Sequence, residues 1–230
     1  MRGYCMFNRL KRIARDTLTR NQIDSGVRHF ARLYCKQEDK VYDIGGGRYN
    51  YNRYFQHYFT VNMDPTENPD FQSDAEKLPF SSNSLDAALC IAVLEHVNNP
   101  EKVLGEIYRT LKPEGNAFIW VPFYWREHRY PIDHQRFTVE GLFYLINKTG
   151  FVVKEITSKP YSGFFFLVSH DIRFIMRDPH VSSLLNPLLY LHALACVLSK
   201  IDKVFNLYHP TLYTGVEAMV QKPAERDQNG

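Results

Sequence analysis

A chain of 230 residues is long enough for one domain with a full hydrophobic core, and 44% hydrophobic with 23% charged residues excludes a disordered protein. A formal net charge of +3, with Lys and Arg scattered along the sequence, gives no footprint for a nucleic-acid partner. The four cysteines, Cys5, Cys35, Cys90 and Cys196, form no CxxC pair and fit reduced thiols in a cytoplasm better than a disulfide framework.

The N-terminus, MRGYCMFNRLKRIARDTLTR, lacks the uninterrupted apolar stretch of a secretory signal, which again points to the cytoplasm. Ile13, Leu18, Ile23, Val27, Phe30 and Leu33 recur at loosely helical spacing, so one or two amphipathic helices are expected within an N-terminal segment 1–37. Lys40 to Ile44 then reads as a strand ended by Gly45, Gly46 and Gly47, with a helix predicted to start between Tyr51 and His57. A second strand, Tyr58 to Met63, ends at Asp64-Pro65, and a polar stretch leads to Asp74-Ala75-Glu76-Lys77-Leu78-Pro79-Phe80.

Leu85 to Val93 is a nearly continuous apolar run, the pattern of a central parallel strand buried on both faces. Asn99-Pro100-Glu101 starts a helix carrying Val103, Leu104, Ile107 and Leu111 on one face, and Lys112-Pro-Glu-Gly115 stops it. Further strands are expected at Asn116 to Pro122, Phe151 to Thr157 and Tyr213 to Gln221, with a helix from Thr138 or Val139 to Thr149. The alternation predicts a doubly wound, mostly parallel α/β sheet of seven strands with helices on both faces, one domain over 1–222 and a disordered tail over 223–230.

Residues 160–211 exceed what such a sheet needs and read as a helical insertion, or lid, before the last strand. From His180 to Ser199 there is no Lys, Arg, Asp or Glu, a length close to the about 20 apolar residues of a membrane span. Asn186, Pro187 and His192 interrupt it, and the chain must return to the sheet, so spanning is disfavoured. The segment 180–203 is expected either to bury its apolar sides against the sheet and Phe164-Phe-Phe166, or to lie peripherally on a membrane surface with Arg173, Arg177, Lys200 and Lys203 facing anionic headgroups.

The strongest local signal is Asp43-Ile-Gly-Gly-Gly47, because a strand-to-helix turn without Cβ atoms lets a ligand approach the main chain closely. Asp64 stands where nucleotide-binding folds place an acid against two ribose hydroxyls. A nicotinamide-dependent oxidoreductase would share both features, but it calls for GxGxxG, and here Arg48-Tyr49-Asn50 follows the third glycine.

Taken in order, Asp43-x-Gly-x-Gly47, Asp64, Asp74-Ala-Glu-x-Leu-Pro-Phe80, Leu85-Asp86, Leu94-Glu95-His96 and Leu111-Lys-Pro-x-Gly115 resemble the motifs of class I S-adenosylmethionine-dependent methyltransferases, more narrowly the methyltransferase type 11 group. The match runs from about Val41 to Phe151. The resemblance implies S-adenosylmethionine as cofactor, with Asp43, Gly45, Gly46 and Gly47 around its methionine part, Asp64 on the ribose, and Asp74 with the Ala75 backbone at the adenine. It places the segment from Cys90 through Ala92 to Val93 under the sulfonium. Where the group often has another small residue after the third glycine, Tyr49 or Tyr51 stands ready to cover the pocket.

The sulfonium already makes the methyl group electrophilic, so such an enzyme chiefly aligns a nucleophile in a dry site. Candidate bases are His96, His128 and His134, and the candidates for holding the acceptor are Trp125, Tyr130 and Arg136. Each has a plainer alternative, a loop held by hydrogen bonds or, for Arg136, an internal salt bridge. His128, Asp133 and His134 do not complete a coordination sphere in the sequence, so no metal is expected, and Glu95 reads as a fixed polar partner at a helix start. The expected acceptor is a small apolar or lipid-like molecule offering oxygen, nitrogen or carbon. The alternative is a methyltransferase-fold binding or regulatory protein without catalysis.

Overall fold

The structure, a computed structural model, describes residues 18–47, 49–129, 132–176 and 185–224. The expectations for residues 1–17, for Tyr130, for Arg177 and His180, and for the tail beyond Ala224 lie outside the described residues. Contacts divide the chain into a sheet unit (Ser25–Phe123, Glu127–Thr157, Gly215–Gly230) and a helical unit (Met1–Asp24, Tyr124–Arg126, Ser158–Thr214).

The sheet unit holds β1 (Lys40–Ile44), β2 (His57–Asn62), β3 (Phe71–Gln72), β4 (Leu85–Ile91), β5 (Leu111–Pro122), β6 (Val152–Thr157) and β7 (Gly215–Gln221), in the order β3-β2-β1-β4-β5-β7-β6. The first five pair in parallel, whereas β7 runs antiparallel between β5 and β6. This is the expected Rossmann-like sheet of seven strands, with the helical insertion ahead of the last one. As the apolar run predicted, β4 is central, and Leu85, Ala87, Ala88, Leu89 and Cys90 are buried. At the other edge Tyr42, Phe59, Phe71 and Phe80 pack ring on ring, with Tyr42 lying 5.2 Å from Phe59 and 4.9 Å from Phe80.

Helix α1 (Leu18–Tyr34) closes against the sheet unit through its last turns, where Tyr34 donates its hydroxyl to Glu155 at 2.7 Å and His29 lies 3.1 Å from the same carboxylate. Helix α2 (Pro100–Thr110) starts as the sequence indicates: the Asn99 side chain accepts from the Lys102 N–H, Pro100 fills the first position, and Val103, Leu104 and Ile107 are buried. Thr138 caps α3 (Val139–Lys148) in the same way, accepting from the Gly141 N–H at 2.9 Å.

Three local expectations are corrected. No helix forms between Tyr51 and His57; a single 3-10 turn, Asn52–Tyr54, is all that fits, because Tyr51 is buried and the chain is already extended at Phe55 to enter β2. The Lys112-Pro-Glu-Gly115 stretch belongs to β5, which starts at Leu111 instead of Asn116 and absorbs the turn with Glu114 at φ 64. The polar stretch after Asp64 contains a two-residue strand, β3, secured by Asp70 accepting from both the N–H and the hydroxyl of Thr60.

In the helical unit, α4 (Phe164–Met176) packs on α5 (Leu185–Phe205). The buried Asp202 accepts from the Phe165 and Phe166 N–H groups at 3.0 and 2.9 Å, placing a negative charge at the α4 N-terminus, where the helix dipole favours it. Helix α5 buries His192, Ala193, Ala195 and Cys196 and exposes Tyr190, Leu191, Leu194, Val197, Val204 and Phe205. No helix among the described residues is long and apolar enough to cross a membrane.

Candidate functional site

At the carboxyl ends of β1, β2 and β4 the sheet unit opens into a cavity of about 420 Å³ whose wall includes Gly45, Asn62, Asp64, Asp74, Ala75, Ala92 and His96. Parallel strands present a crevice there, since each chain leaves the sheet toward its crossover at that end. The glycine turn forms one side. Gly45 sits at φ +79 and donates its N–H to the Val61 carbonyl at 2.7 Å, and a Cβ added to it would run into Val93 Cγ2. Only glycine fits that conformation without strain.

Asn62, at the end of β2, ties the parts together. Its amide donates to the Gly46 and Gly45 carbonyls at 3.0 and 3.3 Å, its side-chain oxygen accepts from the Asp64 N–H at 2.9 Å, and its carbonyl accepts from the Ser73 N–H. Asp64 in turn accepts the N–H and hydroxyl of Thr66 on Oδ1, which caps the short turn Pro65–Glu67. The exposed Asp74 accepts from the Glu76 N–H at 2.9 Å. Its loop is fastened to α2 by Glu106, which accepts from the Leu78 N–H, and by Arg109, which donates to the Phe80 carbonyl. Ala92, just past β4, is held at φ 56 with its N–H on the Trp120 carbonyl, a left-handed conformation that costs an alanine about 1–2 kcal/mol.

Asp43, Gly46, Gly47 and Cys90 lie outside the cavity wall. Asp43 is buried and accepts the Tyr58 hydroxyl at 2.5 Å; burial, then the Asp43 charge, push that phenol far above its ordinary pKa. Cys90 is fully buried, and burial raises its thiol well above the usual range. Of the tyrosines proposed as a cover, Tyr51 is a core residue and Tyr49 is exposed, and neither lines the cavity.

The methyltransferase domain family of type 11 matches residues 42–119, which carry the glycine turn, Asp64, Asp74 and Ala92. Over those residues, about a third of its length, the chain resembles a methyltransferase domain. Over 51 residues it is 47% identical to a ubiquinone/menaquinone biosynthesis C-methyltransferase of Blochmanniella pennsylvanica, covering 21% of this chain and 19% of that protein. Over 48 residues it is 38% identical to a sterol 4-C-methyltransferase of Caenorhabditis elegans, covering 21% and 14%. The alignments thus span a fifth or less of those relatives. In fold the chain resembles a [4+2]-cyclase (TM-score 0.55, 15% identity, 86% of this chain and 81% of that one). It also resembles a Haemonchus contortus phosphoethanolamine N-methyltransferase solved with S-adenosylmethionine (TM-score 0.51, 16% identity, 86% and 51%).

Within the sheet unit the candidate bases divide. His96 lines the cavity, while burial lowers its pKa and its Nδ1 lies 2.6 Å from the Ile132 carbonyl. The His128 ring meets His96 edge-on, with centroids 4.8 Å apart. His134 is exposed, and its contribution is a main-chain N–H on the Glu95 carbonyl. Arg136 makes the internal salt bridge, with both terminal nitrogens on Asp133, so that Asp133 is held far below the usual carboxylate range by that pairing against the opposing effect of burial. Trp125 belongs to the helical unit, where its ring lies 4.8 Å from His170.

Sequence reasoning missed two residues. Asn62 has no signature, because its partners come from a loop far away in sequence. Glu95 is not the fixed polar partner expected at a helix start. It is fully buried, neither carboxylate oxygen has a hydrogen-bond partner, and burial raises its pKa to about 8.

Asn62→Ala is expected to lower stability by about 1–2 kcal/mol, the loss of its amide bonds, and to weaken cofactor binding about tenfold by freeing the glycine turn. Thermal unfolding and calorimetric titration of the variant check both.

Proposed function

We propose that this protein transfers a methyl group from S-adenosylmethionine to an oxygen, nitrogen or carbon atom of a small, apolar or lipid-like acceptor. The observation that carries the reading is the cavity itself: one continuous wall joins a glycine whose added Cβ would strike Val93 of the same wall, an acid after β2, an acid and an alanine after β3, and the strained Ala92 after β4. Those residues fit a nucleoside joined to an amino acid. Asp64 supports the ribose hydroxyls, Asp74 and the Ala75 main chain the adenine, and Met63, Val93 and Val97 give the base an apolar bed. The bound cofactor supplies an electrophilic methyl group on a sulfonium. The protein's part is to hold an acceptor atom in line with it and to keep water away.

The acceptor class is supported by the scattered placement of Lys and Arg in the sequence, by the apolar residues exposed on α5, and by the names of the two partial relatives, a ubiquinone/menaquinone biosynthesis C-methyltransferase and a sterol 4-C-methyltransferase. Contact of 180–203 with a membrane surface is part of the same proposal. The resemblance to a cyclase favours one rival, a methyltransferase fold put to another use, since fold does not fix chemistry.

Calorimetric titration with S-adenosylmethionine and S-adenosylhomocysteine tests the reading. Saturable binding is expected, weakened about 10- to 100-fold in Asp64→Ala by loss of two charge-assisted hydrogen bonds. Asp64→Asn, which keeps the cap on the Thr66 N–H, separates that loss from the loss of the turn. Labelled methyl transfer to apolar acceptors then distinguishes the enzyme from the rival, and a folded wild type that binds neither compound ends the proposal.

A further inference from the structure

We infer that Glu95, His96 and His128 form a binding site for one divalent first-row transition-metal ion beside the cofactor cavity. Each residue offers a ligand atom, and these atoms all lie within 4.8 Å of one another inside the sheet unit. The site shares His96 with the cavity wall.

Three independent features converge on it. The Glu95 carboxylate is fully buried, yet neither oxygen accepts a hydrogen bond. A buried polar group left so is costly, and a metal ion would offset that cost as its partner. The His96 ring is oriented by its surroundings: a carbonyl can only accept, so the contact with the Ile132 carbonyl puts the proton on Nδ1 and leaves the lone pair on Nε2, the atom 3.7 Å from Glu95 Oε1. Two ligands about 2.1 Å from a tetrahedral ion are about 3.4 Å apart, so this gap closes with a few tenths of an ångström of movement.

His128 is supported in the manner of a metal-bound imidazole. Its Nδ1 lies 3.3 Å from Asp133 Oδ2, its own N–H donates to the same oxygen at 2.8 Å, and Arg136 clamps that carboxylate from the other side. A carboxylate on Nδ1 fixes the ring and raises its basicity, which leaves Nε2 as the nitrogen available to an ion. Two imidazoles with one carboxylate suit zinc, cobalt, nickel or ferrous iron, whereas magnesium and calcium prefer oxygen ligands throughout. Three protein ligands leave a position open for water or an oxygen atom of a bound molecule. Use of that position to anchor an acceptor oxygen rests on the methyltransferase reading; binding of the ion does not.

The test is a titration of the full chain, stripped with chelator, by Zn²⁺ in a calorimeter and by Co²⁺ in a spectrophotometer. One ion per chain is expected, with a visible cobalt absorption band. Glu95→Gln and His128→Gln should each weaken binding at least ~100-fold, and Asp133→Asn about tenfold, while His134→Gln leaves it unchanged. Because the His128 side chain is 39% exposed, its substitution decides the matter even where Glu95→Gln fails to fold. Absence of stoichiometric uptake by the wild type, wild-type affinity in His128→Gln, or an equal loss in His134→Gln each overturns the site. S-adenosylmethionine binding by the same stripped protein is measured alongside: if it persists while no metal binds, the metal site alone is wrong.

Discussion

Gly45→Ala is expected to remove measurable cofactor binding at concentrations that saturate the wild type, and to lower stability by about 3 kcal/mol. At φ +79 an alanine pays about 1–2 kcal/mol for the left-handed conformation. Its methyl group meets Val93 Cγ2, and Val93 has little freedom to withdraw, being buried and bonded through the chain to Ala92, itself at φ 56. Forcing a carbon into such a place adds about 1–3 kcal/mol. The turn can relieve the clash only by moving off the Val61 carbonyl and out of the Asn62 bonds, which deforms the cavity wall. The unfolding midpoint should drop by about 10 °C for a domain of this size. Gly105→Ala is the control: an added Cβ there meets nothing within 4 Å, and the gain in helix propensity should raise stability by up to about 1 kcal/mol. Wild-type affinity in Gly45→Ala would mean that the cofactor does not use this cavity.

The sheet and its helices were legible wherever their causes are local. Asn99-Pro100 and Thr138 announce the starts of α2 and α3 because a cap is written within four residues, and the apolar run of β4 reads as central because burial on both faces leaves no polar face to alternate. The cofactor motifs were legible for the same reason, each being a short segment at the end of one strand, and the family match to residues 42–119 falls inside the 41–151 span of the sequence motifs. What stayed hidden depends on distance. Asn62 is one polar residue in a strand until the fold brings the glycine turn to its amide. The cluster of Glu95 and His96 with His128 requires a loop to return across the end of β4, whereas the sequence grouped His128 only with the nearby Asp133 and His134. Asp202 caps a helix that starts at Phe164, a pairing no local pattern records. The short turn at Asn52–Tyr54 was misread because a helix was expected to follow the strand and its glycine turn, while the burial of Tyr51 and the poor helix formers Tyr, Asn and Phe decide otherwise.

Acid should destabilise the protein through His170 in the helical unit, with the change confined to pH between about 6.5 and 4. The imidazole is buried against Tyr124 and Trp125, and burial, aided by the Arg173 charge and opposed by the bond from Nε2 to the Tyr124 carbonyl, lowers its pKa to about 4. Above pH 6.5 the folded and unfolded chains carry the same number of protons at this position, and its contribution is constant. Between 6.5 and 4 the unfolded chain binds a proton that the folded chain refuses, so stability falls as pH falls, and below about 4 both states are protonated and the loss is complete. A gap of about 2.5 pH units at about 1.4 kcal/mol each amounts to about 3 kcal/mol. His192, buried against Ser169, is shifted down by the same cause and adds in the same direction. Urea unfolding of the wild type at several pH values from 7.5 to 4 should show this decline, and His170→Gln, which keeps a donor for the Tyr124 carbonyl but cannot titrate, should show a decline smaller by about 3 kcal/mol. Carboxylates protonate equally in both proteins, so parallel curves would mean that His170 takes up its proton within the fold at no cost.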